Sequence, residues 1–313
     1  MKILVTGAAG FIASHLCEKL SSLGYSVYGI DNFNNYYSQK LKRINADEIQ
    51  KKGVVIFEKD LNDNLDDIFI NNYDYIFHLA AQPGISSTTS LEEYVTNNIY
   101  ATQNLLNAVT KYNTNLKLFV NIATSSVYGK EATVNEDALP KPISYYGVTK
   151  LAAEQLVMAL QRENKIKACS LRLYSVYGPR ERPEKLYTKL IENLFLDKPF
   201  PLFEGSLTHQ RSFTYVSDII DGLVAVIGKE NIVNGEIINL GTKEVHTTAE
   251  GIENTQTIIN KKLIIDNKPP RKGDQEKTAA IINKAQNLLN YKPKISFKEG
   301  LEKQVEWYKK TLL

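Results

Sequence analysis

Short apolar segments alternate with longer amphipathic ones through the first half of the chain. Six segments are short, apolar on both faces and bounded by turn or polar residues, which is typical of strands in a sheet covered on both sides. These predicted strands span residues 3–6, 26–31, 54–58, 75–79, 117–122 and 168–173. Between them, residues 11–23, 91–112 and 145–164 carry apolar side chains at helical spacing. The alternation predicts an α/β fold with a doubly wound parallel sheet and right-handed crossovers.

The alternation stops after about residue 173. The rest of the chain has a segment rich in Pro and Phe at 197–204, a polar loop at 268–273 and a final amphipathic stretch at 301–308. We interpret it as a smaller C-terminal domain that packs over the carboxyl edge of the sheet. The predicted boundaries are 1–172 for the first domain, with 213–241 returning to it, and 173–313 for the second.

Composition and charge exclude several classes of protein. The 313 residues are 43% hydrophobic and 23% charged, as in an ordinary globular protein. A net charge of +3 does not favour a nucleic-acid partner, and no apolar run approaches the roughly 18 residues that a membrane span needs. The N-terminus lacks the features of a signal peptide. Cys17 and Cys169 have no spacing typical of a disulfide framework or a metal site, so we expect a cytoplasmic protein without a metal.

A glycine loop lies directly between the first predicted strand and the first predicted helix. Gly7 and Gly10 have no Cβ, so they permit a tight turn and let the backbone approach a pyrophosphate at the positive end of the helix. Ala13 is a third small residue, at which the helix can pack on the strand. A glycine turn before a helix is the alternative, but the position favours a dinucleotide site. Phe11 and Ile12, which open the helix, complete this group of candidate cofactor residues.

Further candidates for cofactor binding follow the next three strands. Asp31 ends the second strand, where a carboxylate accepts hydrogen bonds from an adenosine ribose and repels a 2′-phosphate, which favours NAD over NADP. An acidic residue at a strand end can equally cap a turn. After the third strand, Asp60 and Leu61 could hold the adenine amino group. The remaining candidates are Asn32 and the smooth surface formed by Leu79, Ala80 and Ala81.

A row of hydroxyl groups and a Tyr–Lys pair form the candidate catalytic set. Tyr146 and Lys150 lie four residues apart at the start of a predicted helix, so their side chains share a face. Thr124, Ser125 and Ser126 follow the fifth strand. A phenol with its usual pKa near 10 is a poor base, but a neighbouring ammonium and a positive nicotinamide ring would lower that pKa. A solvated surface pair is the alternative for Tyr146 and Lys150.

Taken together, these motifs resemble the extended short-chain dehydrogenase/reductase family and, within it, the nucleotide-sugar epimerases. The resemblance spans nearly the whole chain. The motifs that carry it are TGAAGFIAS at 6–14, HLAAQ at 78–82, NNIYAT at 97–102, TSSVYG at 124–129, YGVTK at 146–150, LRLYSVYGPRERP at 171–183 and RSFTYVSDI at 211–219.

The resemblance implies a Rossmann domain that binds NAD, a nucleotide-sugar-binding domain and a set of site residues. It matches Thr124, Tyr146 and Lys150 to the Ser/Thr-Tyr-Lys catalytic set. The positions that it matches to NAD contacts are Gly7, Gly10, Asp31, Asp60, Asn98 and Lys150. It also implies a homodimer formed by helices like those predicted at 91–112 and 145–164, whose apolar faces could equally be ordinary core.

By the same resemblance, the reaction is the 4-epimerisation of a UDP-sugar. Tyr146 takes the proton of the sugar 4-hydroxyl while C4 gives its hydride to NAD, the 4-keto sugar turns over, and the hydride returns to the other face. Thr124 would donate a hydrogen bond to the developing oxyanion, and Lys150 would hold the ribose. The cofactor is not consumed.

The segment 178–183 matches the UDP-glucuronate 4-epimerases most closely, and there Arg182 corresponds to an arginine that faces the sugar carboxylate. Oxidation at C4 of a uronate gives a β-keto acid, and a bidentate guanidinium can hold its carboxylate out of alignment for loss of CO₂. Ser126 stands where related decarboxylases and dehydratases carry Glu, and Ser175 stands where neutral-sugar epimerases carry Asn. A surface arginine in a loop of mixed charge is the alternative for Arg182.

Arg211 and Arg271 match arginines that clamp the diphosphate, with exposed loop arginines as the alternative. The segments 83–86 and 183–186 depart from the family pattern at the sugar end of the site. The leading hypothesis is therefore the conversion of UDP-glucuronate to UDP-galacturonate for polysaccharide precursors. The alternatives are a UDP-glucose or UDP-N-acetylglucosamine 4-epimerase, a nucleotide-sugar decarboxylase or dehydratase, and a non-catalytic NAD-binding regulator.

Overall fold

Strands and helices alternate through the described part of the chain, residues 1–86, 88–270 and 276–313 of the computed structural model. The strands are β1 (Lys2–Thr6), β2 (Ser26–Asp31), β3 (Val55–Glu58), β4 (Tyr75–His78), β5 (Leu118–Thr124), β6 (Glu131–Ala132), β7 (Ala168–Leu173), β8 (Ser175–Tyr177), β9 (Phe200–Phe203), β10 (Gln210–Arg211), β11 (Phe213–Tyr215), β12 (Ile237–Leu240), β13 (His246–Thr247), β14 (Ile265–Lys268) and β15 (Lys277–Thr278). The helices are α1 (Phe11–Ser22), α2 (Gln39–Lys51), α3 (Asp66–Phe69), α4 (Leu91–Tyr94), α5 (Ala101–Tyr112), α6 (Tyr145–Arg162), α7 (Leu186–Phe195), α8 (Val216–Val224), α9 (Glu230–Val233), α10 (Thr248–Ile259), α11 (Asn283–Leu289) and α12 (Phe297–Leu312). A π-helical segment, Val95–Tyr100, joins α4 to α5, and 3₁₀ turns form at Ser125–Tyr128 and Ser206–Thr208.

Seven of these strands form one parallel sheet in the order β12-β7-β5-β4-β1-β2-β3. At the end of β1, Thr6 lies opposite Ile30 of β2 on one side and His78 of β4 on the other. The strand order reverses between β1 and β4, so the loops after these two strands diverge and leave a crevice at the carboxyl edge. The doubly wound parallel sheet predicted from the sequence is confirmed.

Both faces of this sheet are buried, because successive residues of a strand point to opposite sides. Ile3 and Val5 of β1 pack in one core together with apolar side chains of α1 and α8. Leu4, which lies between them, packs in a second core with Leu105 of α5. This two-sided burial explains why the strands of the large sheet are apolar throughout.

All six predicted strands are present, and their ends differ from the prediction by at most two residues. The helix predicted at 91–112 is interrupted by the π-helical segment. Helix α2 was not predicted, because the face that it buries begins with Lys42 and Asn45 and only then continues with Ala46 and Ile49. A search for apolar residues at helical spacing does not recognise a buried face of which half is polar.

Strand β12 returns to the large sheet from the second half of the chain and pairs in parallel with β7. Two smaller sheets, β8 with β11 and β9 with β14, belong to the rest of that half, and a third, β13-β10-β15-β6, includes β6 from the first half. Aromatic rings fill its centre, and the ring centroids of Tyr187 and Phe213 are 4.8 Å apart. The division of the chain into two domains, with its boundaries, remains a prediction.

Both cysteines are core residues. Cys17 and Cys169 are free thiols, and burial raises the pKa of each, so both stay protonated. Among the described helices, none combines the length and the apolar character needed to cross a bilayer.

A buried ion pair connects α6 to the sheet. Arg172 of β7 donates from Nε and Nη2 to the two carboxylate oxygens of Glu154 on α6, at 3.0 and 2.6 Å. The two side chains are 2% and 0% exposed. Ser170 donates a further hydrogen bond to Glu154, and Arg172 Nη1 donates to the Tyr128 hydroxyl. The charges are therefore paired and hydrogen-bonded, as a buried ion pair requires.

Arg172→Met should lower the free energy of unfolding by about 3–5 kcal/mol, because it leaves Glu154 as an unpaired buried charge. Lys303→Met is the matched control, since it breaks a pair with Glu299 that is 44% exposed on each side, and it should cost no more than about 1 kcal/mol. Urea unfolding measures both. Equal losses for the two variants would contradict the prediction.

Candidate active site

The loop after β1 has no room for a side chain at either of its two glycines. Gly7 has a φ of +70°, and a Cβ there would lie 3.0 Å from the Cα and N of Ala80. A Cβ at Gly10 would lie 2.9 Å from the Gly7 carbonyl oxygen, to which the Gly10 N–H donates at 2.8 Å. Gly10 also caps α1, so the positive end of that helix opens on this loop. The geometry fits a pyrophosphate, as predicted for Gly7 and Gly10.

The loop after β4 is held against the end of β1 by a single hydroxyl group. Thr6 Oγ1 accepts the N–H groups of Leu79 and Ala80 at 3.1 and 3.0 Å and lies 2.8 Å from His78 Nδ1. Burial, with a smaller contribution from the charge of Lys150, lowers the pKa of His78 to about 3, so the ring is neutral. The predicted surface of Leu79 and Ala80 therefore has a fixed position beside the glycine loop.

The other face of His78 continues this network to the predicted cofactor residue Asn98. His78 Nε2 lies 2.9 Å from Thr102 Oγ1, which donates to the Asn98 carbonyl at 2.7 Å, so the ring proton resides on Nε2. Within the π-helical segment, the Asn98 side chain accepts the N–H of Gln82 at 2.7 Å and donates to Thr149 Oγ1 at 3.0 Å. Asn98 thus connects the loop after β4 to the start of α6.

Asp31 is buried at the end of β2 and has backbone partners on both carboxylate oxygens. It accepts the N–H groups of Ala9 and Phe33 at 3.0 and 2.8 Å. Burial raises the pKa of Asp31, while these hydrogen bonds and the charge of Lys42 oppose the rise. The turn-capping alternative and the ribose hypothesis are compatible, because each carboxylate oxygen has a second lone pair. Lys42 Nζ itself is held by the Asn34 side chain at 2.6 Å.

Asn32 and Asp60 come together at the ends of β2 and β3. Asn32 Nδ2 donates to Asp60 Oδ2 at 2.6 Å, and the Asn62 backbone N–H donates to Asp60 Oδ1 at 2.8 Å. Burial opposes ionisation, but these hydrogen bonds hold the pKa of Asp60 below its usual value. Asn104 donates to the carbonyl of the buried Leu61 at 2.6 Å. The adenine end of the predicted site is therefore lined by an ionised carboxylate.

The catalytic set lies where β5 ends and α6 begins. Thr124 Oγ1 accepts the Ser126 N–H at 3.2 Å and hydrogen-bonds to the Tyr146 hydroxyl. Lys150 is buried, and its ammonium donates to the Ile122 carbonyl at 2.6 Å. The structure thus brings Thr124 and Tyr146, two members of the predicted catalytic set, into contact.

The electrostatics of this set differ from the expectation. Burial raises the pKa of Tyr146, while the hydrogen bond from Thr124 and the charge of Arg182 oppose the rise. Arg182 is the cation that acts on the phenol here, and the Lys150 ammonium donates to the Ile122 carbonyl. Burial also lowers the pKa of Lys150 to about 8. The residues around Tyr146 therefore leave its hydroxyl less acidic than that of a free phenol.

Arg182, predicted to face the sugar carboxylate, lies beside the loop after β4. A Cβ on Gly84, in the loop after β4, would lie 3.1 Å from its Nη2, and its guanidinium lies 5.7 Å from the centre of the Tyr36 ring. Nη1 is 2.7 Å from a carboxylate oxygen of Glu184, with which it forms an ion pair. The charge of Arg182 also opposes the rise in the pKa of Tyr146.

The other predicted substrate residues are more dispersed. Ser125 is buried and Ser126 half-buried in the 3₁₀ turn after β5. Ser175 begins β8, where it lies opposite Phe213. Arg211 is half-buried in β10. Its positive charge contributes to lowering the pKa of Lys185 and opposes the rise in the pKa of Tyr187. Arg271 lies outside the described residues.

Sequence reasoning missed several residues that support this site. Asn45 of the unpredicted helix α2 donates to the Ala9 carbonyl at 2.9 Å and so braces the glycine loop. Lys42 of the same helix acts on Asp31, as described above. Their spacing of three residues, continued by Ala46 and Ile49, is the helical signal that was available. Within the described residues, no group of His, Cys, Asp and Glu could hold a metal ion.

Comparison with known proteins places this site among nucleotide-sugar enzymes. The sequence model of the NAD dependent epimerase/dehydratase family matches residues 3–241. The crystal structure of UDP-glucuronic acid 4-epimerase from Bacillus cereus, in complex with UDP-glucuronic acid and NAD, has a TM-score of 0.93 and 38% identity, covering 99% of each chain. A Bacillus subtilis protein named as an uncharacterized UDP-glucose epimerase is 38% identical over 98% of each chain. UDP-glucuronate 4-epimerase 4 of Arabidopsis thaliana is 33% identical over 98% of this chain and 75% of its own.

Gly7→Ala should weaken NAD binding about tenfold or more, because the added methyl group would push the glycine loop away from Ala80. Gly24→Ala is the matched control: its φ of +81° carries the same conformational cost, but a Cβ there has nothing within 4 Å. Calorimetric titration with NAD compares the two. Equal affinity in both variants would remove Gly7 from the cofactor site.

Proposed function

The chain belongs to the NAD dependent epimerase/dehydratase family, and from this premise we propose that it is an NAD-dependent UDP-sugar 4-epimerase whose substrate is UDP-glucuronate. The family match confirms the resemblance predicted from the motifs. The reaction inverts C4 and yields UDP-galacturonate without net oxidation. The observation that carries the choice of a uronate is the position of the Arg182 guanidinium, which lies beside Gly84 in the loop after β4. Tyr94 connects this loop to the catalytic set, because its hydroxyl donates to the Gly84 carbonyl and its ring centroid lies 6.3 Å from that of Tyr146.

The chain's own residues fit NAD. The glycine loop has no room for a Cβ at Gly7 or Gly10, the positive end of α1 opens on it, and Asp31 offers a buried carboxylate at the end of β2. When bound, NAD supplies the oxidising and reducing equivalents at C4, and its positive ring favours the phenolate. Lys150 has three N–H donors and gives one to the Ile122 carbonyl, which leaves two for the nicotinamide ribose.

Tyr146 removes the proton from the sugar 4-hydroxyl and later returns it. The hydrogen bond from Thr124 stabilises the phenolate and, as the reaction proceeds, the developing negative charge on the sugar oxygen. Because Thr124 is anchored by the Ser126 N–H, its hydroxyl proton is directed at the site. Ser125 and Ser126 continue this row toward the sugar.

Arg182 binds the sugar carboxylate. Its planar guanidinium makes two parallel hydrogen bonds to a carboxylate, which fixes the rotation about the C5–carboxylate bond. This restraint keeps the 4-keto uronate from aligning for decarboxylation. Ser175 and Arg211 complete the substrate side, with Arg211 on the diphosphate, and we propose the same diphosphate role for Arg271.

A neutral UDP-hexose is the second candidate substrate. In the structure, Glu184 lies 2.7 Å from Arg182 Nη1 and already balances its charge. An arginine that stays paired in this way would face an uncharged sugar. The similarity to the Bacillus subtilis protein named as a UDP-glucose epimerase agrees with this alternative.

We further propose that two copies form a dimer through α4, α5 and α6. Large apolar side chains on these helices and the adjoining π-helical segment are exposed: Leu91, Tyr100, Tyr145 and Val148. Dimer formation would remove them from water. With two free thiols in its core, the protein suits a reducing cytoplasm, where UDP-uronates would serve polysaccharide synthesis.

Tyr146→Phe should lower kcat by about 10²–10⁴-fold with an unchanged melting temperature and unchanged NAD binding, because only the acid–base group is lost. Tyr145→Phe, at the exposed neighbouring position, is the control and should retain full activity. Proton NMR of UDP-glucuronate turnover measures both. Near-normal turnover by Tyr146→Phe would exclude Tyr146 as the base.

Arg182→Ala should raise KM for UDP-glucuronate about tenfold to a hundredfold, because it removes charge-assisted hydrogen bonds worth about 1.5–3 kcal/mol. Affinity for UDP, which has no sugar carboxylate, should stay unchanged and serves as the internal control. Product analysis by NMR would also detect decarboxylated sugar. A variant that retains the KM for UDP-glucuronate, or a wild-type protein that turns over only neutral UDP-hexoses, would favour the second candidate.

A further inference from the structure

Three consecutive side chains of the loop after β8 point to three different parts of the molecule. Arg180 has a left-handed φ of +68°, and its Nη2 donates to Glu18 on α1 at 2.8 Å. His15, on the same helix, donates to the Pro179 carbonyl at 2.9 Å. Since α1 begins at the glycine loop, these contacts fix the position of the loop after β8 relative to the predicted cofactor site.

Glu181, the next residue, points away from α1 and is 5% exposed. Its Oε2 accepts hydrogen bonds from Thr188 Oγ1 on α7 at 3.1 Å and from Gln304 Nε2 on α12 at 2.9 Å. Both partners are themselves buried, and Gln304 Nε2 also donates to Thr188 Oγ1 at 3.1 Å. The three side chains thus form a closed polar triangle between the loop and two helices of the second half of the chain.

Burying the Glu181 carboxylate costs free energy. Burial raises the pKa of Glu181 to about 7, and the charge of Lys185 and the two hydrogen bonds only partly oppose the rise. An apolar side chain would fill the same space without that penalty, so packing alone does not account for a glutamate here. Its hydrogen bonds, in contrast, restrain the backbone immediately before Arg182.

We propose that Glu181 is a positioning residue for Arg182: anchored to Thr188 and Gln304, it sets the direction in which the guanidinium enters the sugar end of the site. Adjacent Cα atoms are only about 3.8 Å apart, so an immobile side chain at 181 leaves the backbone at 182 little freedom. With Arg180 held on the opposite side, the loop is clamped at both residues that precede Arg182. This inference rests on the proposed function, because the sugar carboxylate is the group that Arg182 meets.

The test removes the anchor at constant size. Glu181→Leu should raise KM for UDP-glucuronate about tenfold, because the arginine must then be ordered on binding. The kcat at saturation and the affinity for UDP should change little. Glu181→Gln keeps an acceptor oxygen for Thr188 and Gln304 and should restore the wild-type KM. Because Glu181→Gln removes the negative charge and keeps the anchor, it is also the control for simple loss of a charge.

A double-mutant cycle separates positioning from general damage. In the Arg182→Ala background, Glu181→Leu should raise KM for UDP-glucuronate no further, because the residue that it positions is absent. Thr188→Val removes the donor at nearly constant shape and should repeat the effect if Glu181→Leu fails to fold. Additive effects in the cycle, or equal losses of affinity for UDP and UDP-glucuronate, would overturn the proposal.

The outcomes also distinguish this inference from the proposed function. A wild-type protein that does not turn over UDP-glucuronate would overturn both. A wild-type protein that does, together with a folded Glu181→Leu variant of unchanged KM, would overturn the positioning role alone.

Discussion

Helix α6 carries both Tyr146 and Lys150, and its position against the sheet depends on the buried contact between Glu154 and Arg172. Glu154 lies one turn beyond Lys150, so the ion pair restrains the same end of the helix that presents the catalytic side chains. The Lys150 ammonium adds a second attachment at the Ile122 carbonyl. No water can replace either partner of this buried ion pair, so the pair fixes both the rotation of α6 about its axis and its position along that axis. The phenol of Tyr146 is therefore held against Thr124 at the end of β5.

Much of the fold could be predicted from sequence because burial on both faces makes each strand of the large sheet a continuous apolar run. Each strand of the large sheet has to be apolar on both faces, and such runs are visible without any knowledge of their neighbours. Helix α2 has no such apolar pattern, since its buried face includes Lys42 and Asn45, which hydrogen-bond to loop atoms. The π-helical segment was invisible for another reason: periodicity detects which face of a helix is apolar, not how widely one turn is wound.

The candidate site divides in the same way. Gly7, Asp31 and Thr124 were recognisable because strand ends in a parallel sheet meet at one edge, so position in the chain predicts position in space. The contacts that hold the site together join residues far apart in sequence, such as Thr6 with His78 and Asn98 with Thr149. No local pattern encodes those pairs. The electrostatics could not be predicted in full, because helical spacing places Lys150 on the face of Tyr146 but does not reveal the Ile122 carbonyl to which its ammonium donates.

The widened turn at Val95–Tyr100 makes the length of this region a sensitive quantity. A π-turn absorbs about one residue more than the α-helical turn it replaces, so losing one residue there would restore a regular α-helix and keep the helix downstream in phase. Leu105 and Val109 of α5 would then stay in the core, but Asn98 would lose the wide turn that presents its side chain to the loop after β4. The same deletion made within α5 would instead rotate the residues that follow it by about 100° and so move part of the apolar face out of the core.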